Sequence, residues 1–216
     1  MRGNAELRPE RTRTRELALE RSGDGVTLSL TAYQQRFRDL IQYWWTPVNA
    51  TAPNYYNVAG ANADGAEVEV GASLPAQLHT RLTYALTRTR VTDAGFDAGD
   101  GATFVLGQPL MRRPEHSARL EVARHVAARA EIALGASYTG RASDRDYAQW
   151  PAAPVWLRAH TLVDLAVQAR LSPVGARLPV SARLRGDNLT NVAYQGIFGF
   201  RAPGRSLRVG LTIGQP

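Results

Sequence analysis

Apolar and polar residues alternate along segment after segment of this chain, with no helical period anywhere. That pattern restricts it to strands with one greasy and one polar face. Val26, Leu28, Leu30 and Ala32 oppose Thr27, Ser29, Thr31 and Tyr33. Ala66, Val68 and Val70 oppose Gly65, Glu67 and Glu69, and Ala118, Leu120 and Val122 oppose Ser117, Arg119 and Glu121. The same beat returns in Leu17–Leu19, Leu82–Leu86, Ile132–Tyr138, Val163–Leu171, Val180–Leu184 and Leu207–Ile213. This makes about nine strands, with the second extended through Phe37 to Trp45.

The connections alternate in length. Short turns fall near Gly23, Ala76, Ala127 and Val174, and Asp24-Gly25 is a strong hairpin signal. Long loops fall near Ala50, Asp100, Trp150 and Phe198. An antiparallel up-and-down meander places all short turns at one end and all long loops at the other. Outer-membrane barrels have that asymmetry, with short turns inside and long loops outside. Tyr43, Trp44, Trp45, Tyr55, Tyr56, Phe96, Tyr147 and the loop aromatics named below lie in or beside the long loops, and Tyr33, Tyr84 and Tyr138 come late in rising strands. An aromatic girdle at the outer interface has this distribution.

Composition closes off other classes. With no cysteine there is neither a disulfide nor a thiolate-metal framework. No run approaches the ~20 apolar residues of a membrane helix, and Met1–Glu6 has no signal-like apolar core. All 26 basic residues are arginine, and the net charge is +7. Such a charge admits a soluble basic β-protein that binds nucleic acid or another polyanion. However, the arginines are scattered, with local density only from Arg8 to Arg21. Alternation alone does not separate a wet lumen from the solvent face of a soluble sheet. The polar faces, which carry Glu67, Glu69, Arg119, Glu121, Asp164, Arg170, Arg183, Arg185 and Arg208, fit either.

Several blocks together resemble TonB-dependent outer-membrane receptors. They are Leu7-Arg8-Pro9-Glu10-Arg11, Tyr56-Asn57-Val58 followed by Gly65-Ala66-Glu67-Val68-Glu69, and Arg112-Arg113-Pro114-x-His116-Ser117. Asn188-Leu189-Thr190-Asn191-x-x-Tyr194 and Pro203-Gly204-Arg205 before the last alternating segment complete the set. The Arg-Arg-Pro-x-His block and the Tyr194-Gln195 to Pro-Gly-Arg stretch are most similar to the cobalamin-receptor branch. The resemblance implies an all-β partial transmembrane barrel spanning residues 1–216, the C-terminal part of a barrel of roughly 22 strands, with no plug domain and no signal peptide. It implies a non-enzymatic function in the Gram-negative outer membrane: TonB-energised uptake of a metal chelate, cobalamin or an iron-siderophore or heme complex. The implied partners are outer-membrane lipid, the chelate, and TonB only through a missing N-terminal part; neither a cofactor nor nucleic acid is implied.

The candidate ligand contacts are loop aromatics: Trp150, Trp156, Phe104, Phe198 and Phe200. They suit stacking on a corrinoid or siderophore as well as packing within a girdle. Asp93, Asp97 and Asp100 form a Gly-rich acidic loop that is a weak calcium candidate, because its spacing is not that of an EF-hand. His79, His116, His125 and His160 lack metal-ligand spacing, and no Gly-x-Ser-x-Gly supports a barrel hydrolase built on Ser117 and His116 or Asp164 and His160.

Overall fold

A computed structural model describes residues 2–43, 49–95, 101–126, 129–173 and 176–214, with only the backbone considered at 58–59. Among the described residues eleven strands form, and no helix is long and apolar enough to cross a membrane. Nine of the strands make one antiparallel sheet in sequential order: β1 (Arg11–Gly23), β2 (Val26–Tyr43), β3 (Tyr55–Leu74), β4 (Leu78–Asp93), β5 (His116–Val126), β6 (Ala130–Thr139), β9 (His160–Arg170), β10 (Val180–Asp187) and β11 (Ser206–Ile213). A separate hairpin, β7 (Ala142–Asp146) with β8 (Ala153–Leu157), stands above it. The long loop expected near Trp150 therefore contains a structured hairpin. Among the described residues, β1 and β11 each pair on one side only.

Local chemistry sets the register. Gly23 pairs with Val26 across Asp24 (φ 51°) and Gly25 (φ 76°), both left-handed, as a type I′ turn requires. The turn fixes which side chains of β2 share a face, and the ladder carries that choice across the sheet. One row runs Leu19–Leu30–Val68–Tyr84–Ala118–Tyr138. Further along, Leu134 meets Leu165, Leu184 meets Val167, and Leu184 meets Val209. Every apolar position of the alternation thus falls on one face. The expected lipid-facing residues Leu28, Leu30, Leu165, Val167, Val209 and Leu211 are all on it.

The opposite face is polar and lines a trough of about 460 Å³ that includes Ser29, Glu67, Thr83, Ser117, Arg119 and Ser137. Asp164, Arg183 and Arg208 lie on this face by register. Tyr33 lies here too, so it is not part of an outer girdle. Its ring crosses Gly65, and its hydroxyl meets Thr87 Oγ1 at 2.8 Å. A Cβ on Gly65 would sit 2.4 Å from the Tyr33 ring. Arg119 bonds Ser137 Oγ (2.9 Å) and Glu121 (2.7 Å) across the same face.

Conventional burial is sparse. The buried apolar side chains include Ala61, Ala63 and Val91, whereas Leu17 (76%) and Val209 (78%) are largely exposed. A contiguous exposed apolar face of this extent needs a cover. Lipid on that face and water in the trough satisfy the pattern, because the antiparallel ladder pairs the backbone of every interior strand.

Candidate functional site

The long connections gather at one end of the sheet, and three of them meet at Asp144 on β7. Its side chain is fully buried. Arg112 Nε, from the β4–β5 connection, donates to Asp144 Oδ1 at 2.9 Å. The Phe198 amide, from the β10–β11 connection, donates to Asp144 Oδ2 at 2.8 Å. The Arg112 amide also donates to the Ser143 carbonyl at 2.8 Å. One carboxylate therefore satisfies donors from two other loops, and a buried charge is tolerable only with such partners. Sequence reading placed Arg112 in a block and missed Asp144, which looks like any acid in Ser-Asp-Arg-Asp.

Other bonds brace the rest of this end. The Val91 amide donates to the Gln108 carbonyl and the Gly107 amide to the Val91 carbonyl, each at 2.9 Å, which folds the β4–β5 connection onto β4. Arg145 Nη1 donates to the Ala152 carbonyl at 2.9 Å inside the β7–β8 hairpin. Glu115 accepts from Arg88 Nε at 2.6 Å, and this bond holds the Glu115 carboxyl below the usual carboxylate range.

Within this frame, Phe104 lines a concavity of about 610 Å³ with Ala102, Leu106, Arg145, Pro151 and Ala152. Trp150 adjoins it but is 89% exposed. Trp156, 55% exposed, carries the Arg141 guanidinium 4.8 Å from its ring centroid. Phe198 is half-buried and held through its backbone at Asp144, while Phe200 is 72% exposed. The structure thus brings Phe104 and Phe198 into loops joined at Asp144 and leaves Trp150, Trp156 and Phe200 presenting apolar surface at the same end. Of the calcium candidates, Asp93 accepts from the Gly95 amide at 2.8 Å, and Asp97 and Asp100 lie outside the described residues, as do Trp44, Trp45 and Phe96. No cluster of three metal-ligating side chains forms among the described residues.

The C-terminal block is a local lock. Asn188 (φ 50°) donates through Nδ2 to the Val192 carbonyl and accepts from the Val192 amide, both at 2.9 Å. Its own amide donates to Asp164 Oδ1 at 2.9 Å, tying the turn to β9. Asn191 Oδ1 accepts from the Arg205 amide at 3.0 Å and lies 2.9 Å from where a Gly204 Cβ would be. Tyr194 stacks on His160 at 4.4 Å. The Asn-Leu-x-Asn-x-x-Tyr and Pro-Gly-Arg segments are therefore two halves of one turn that aims β11 along β10.

Comparison with known proteins gives concordant results. The family model described as "TonB dependent receptor-like, beta-barrel" matches residues 1–189. A curated relative, the vitamin B12 transporter BtuB of Vibrio cholerae serotype O1, is 29% identical over 205 residues, covering 94% of this chain and 30% of that protein. Among solved structures, the FrpB iron transporter of Neisseria meningitidis superposes with a TM-score of 0.73 at 14% identity, covering 97% of this chain and 32% of that one. The pyoverdine outer membrane receptor FpvA of Pseudomonas aeruginosa PAO1 gives 0.71 at 18% identity, covering 99% and 31%. The chain thus spans about a third or less of the length of these relatives.

Proposed function

Because the chain belongs to the TonB-dependent receptor-like β-barrel family, we propose that it forms the C-terminal part of the barrel of a Gram-negative outer-membrane receptor that takes up a metal chelate. The observation that carries this reading is the register. It collects an apolar face across nine strands, puts a polar trough behind it, and sends the long aromatic loops to one end. A soluble polyanion-binding sheet would leave that apolar face against water, so this alternative has no support from the fold.

In this reading the apolar face meets lipid, the trough faces the lumen, and the loops joined at Asp144 face the outside. The sheet edges at β1 and β11 are completed by strands from the remainder of the receptor, and contact with TonB belongs to that remainder as well. The chelate is a corrinoid or an iron complex. The corrinoid is favoured by the B12-transporter relative, which is 29% identical over 94% of this chain. Trp150 and Trp156 offer planar apolar surface on which such a ligand stacks, with Phe104 at the floor of the adjoining concavity.

The test is binding of cyanocobalamin and of ferric siderophores to the receptor-length protein in detergent, with and without Trp150→Ala and Trp156→Ala. One ligand class should bind, and the double variant should weaken it by about tenfold or more, the loss expected for removing aromatic anchors. If neither class binds, the chelate assignment fails. If the double variant binds unchanged, the stacking role fails.

A further inference from the structure

Arginines concentrate on the apolar face of the sheet, just beyond its greasy band toward the long-loop end. Arg13 lies opposite Arg36, Arg36 opposite Asn62, and Asn62 opposite Arg90. The next row toward the band is Arg15–Gln34–Asp64–Arg88, and Arg11 lies opposite Arg38 in the row beyond. These residues share the face of Leu17, Leu19, Leu28, Leu30, Val68 and Leu82, because they keep the same parity in the ladder. At the short-turn end, by contrast, the same face carries Arg21 and Arg124.

Arg11, Arg13, Arg15, Arg36, Arg38 and Arg90 are exposed and form no ion pair among the described residues. Arg88 is paired with Glu115, and the only carboxylate within the rows themselves is Asp64. Two arginine pairs sit directly opposite one another, Arg11 with Arg38 and Arg13 with Arg36. Like charges in that position are destabilising without a counter-ion. At ~3.4 Å per residue and a ~45° tilt, Arg36 lies about 10 Å beyond Ala32, where the unbroken apolar alternation of β2 ends. The headgroup layer occupies this level.

We propose that this patch on β1–β4 is a binding surface for the phosphate-bearing glycolipid of the outer leaflet. The inference rests on the membrane orientation proposed above. Arginine suits the role, since its planar fork binds phosphate oxygens bidentately and its stem lies along apolar surface. The sheet spaces the forks ~4.8 Å apart across strands and ~7 Å apart along them, so one glycolipid with two phosphates is held at several points. The binding surface faces sideways into the leaflet and is separate from the loop aromatics.

The test uses the receptor-length protein purified from outer membranes in mild detergent, with folding read by heat-modifiable migration. Bound lipid A and phosphatidylglycerol are quantified by mass spectrometry per folded molecule. Wild type should retain lipid A. Arg13→Gln/Arg36→Gln/Arg90→Gln should lose at least tenfold, on an expectation of roughly fivefold per arginine near an anionic surface. Arg183→Gln, on the trough face, should leave lipid A unchanged. If the triple variant does not fold, the three single variants are compared, each expected to lose about fivefold. Equal lipid A in variant and wild type overturns the proposal, as does phosphatidylglycerol in place of lipid A on the wild type. A wild type that never becomes heat-modifiable overturns the membrane reading as well, which separates the two failures.

Discussion

Replacing Leu165 with arginine tests the assignment of faces where it is most exposed to failure. Leu165 pairs with Leu134 on β6 and lies opposite Gly186 on β10. The apolar positions of β9 run Val163, Leu165, Val167, Ala169, with Leu171 just beyond its end, so the centre of the band lies near Val167. At ~3.4 Å per residue and ~45° tilt, Leu165 sits within about 5 Å of the bilayer midplane. An arginine on the lipid face costs about 2–4 kcal/mol at the midplane and less toward the interfaces, so about 2–3 kcal/mol is expected here. That corresponds to roughly 30- to 150-fold in the assembled fraction. The neighbouring Asp164→Asn should cost about 1 kcal/mol or less, because the asparagine carbonyl can still accept from the Asn188 amide. Guanidinium unfolding of the receptor-length protein in liposomes, read by heat-modifiable migration, measures both. Equal tolerance of the two changes, or greater damage from Asp164→Asn, would refute the assignment.

Three further outcomes are expected. Asp144→Ala leaves the Arg112 and Phe198 donors unmet, so the loops should loosen by about 1–3 kcal/mol; limited proteolysis should cut within 101–113 and 195–203 sooner while the barrel still assembles, and an unchanged cleavage pattern would count against the hub. Gly65→Ala drives a methyl into the Tyr33 ring and to within 2.6 Å of the Leu86 carbonyl oxygen, and should destabilise by about 1–3 kcal/mol; Tyr33→Ala should restore only part of the loss in the double variant, because the backbone contact remains. Residues 1–216 expressed alone behind a signal peptide should aggregate and transport nothing, because unpaired edges at β1 and β11 are costly in lipid; a protease-resistant, heat-modifiable monomer would show a barrel complete in itself.

The sheet was largely legible because one physical pressure wrote it. A face meeting lipid and a face meeting water force period-two alternation, and Asp24-Gly25 and the Asn188–Arg205 block mark where strands end. β3 (Tyr55–Leu74) carries the expected alternation at Gly65–Val70 and ends just before the short turn expected near Ala76. The β7–β8 hairpin was not legible. Ala-Ser-Asp-Arg-Asp has no apolar rhythm, and Ala-Pro-Val-Trp-Leu contains a proline. Loop-to-loop hydrogen bonds hold that hairpin rather than a greasy face, so periodicity carries no trace of it. The register shift in β2 between Phe37 and Leu40, where Asp39 (φ 57°) meets Arg8 in an ion pair, is equally silent in the sequence. The arginine patch needed the register, since Arg13, Arg36 and Arg90 are far apart in the chain and adjacent only across strands.

The most direct measurement is single-cysteine labelling: residues 1–216 contain no cysteine, and any cysteine in the rest of the receptor is first replaced by serine. Cysteines placed one at a time from Leu162 to Ala169, each carrying an environment-sensitive fluorophore, report quenching by brominated lipid in the assembled receptor. The register predicts strong quenching at Val163, Leu165, Val167 and Ala169 and weak quenching at Leu162, Asp164, Ala166 and Gln168. Uniform quenching, or the opposite alternation, would contradict a lipid-facing apolar side and a water-facing polar one.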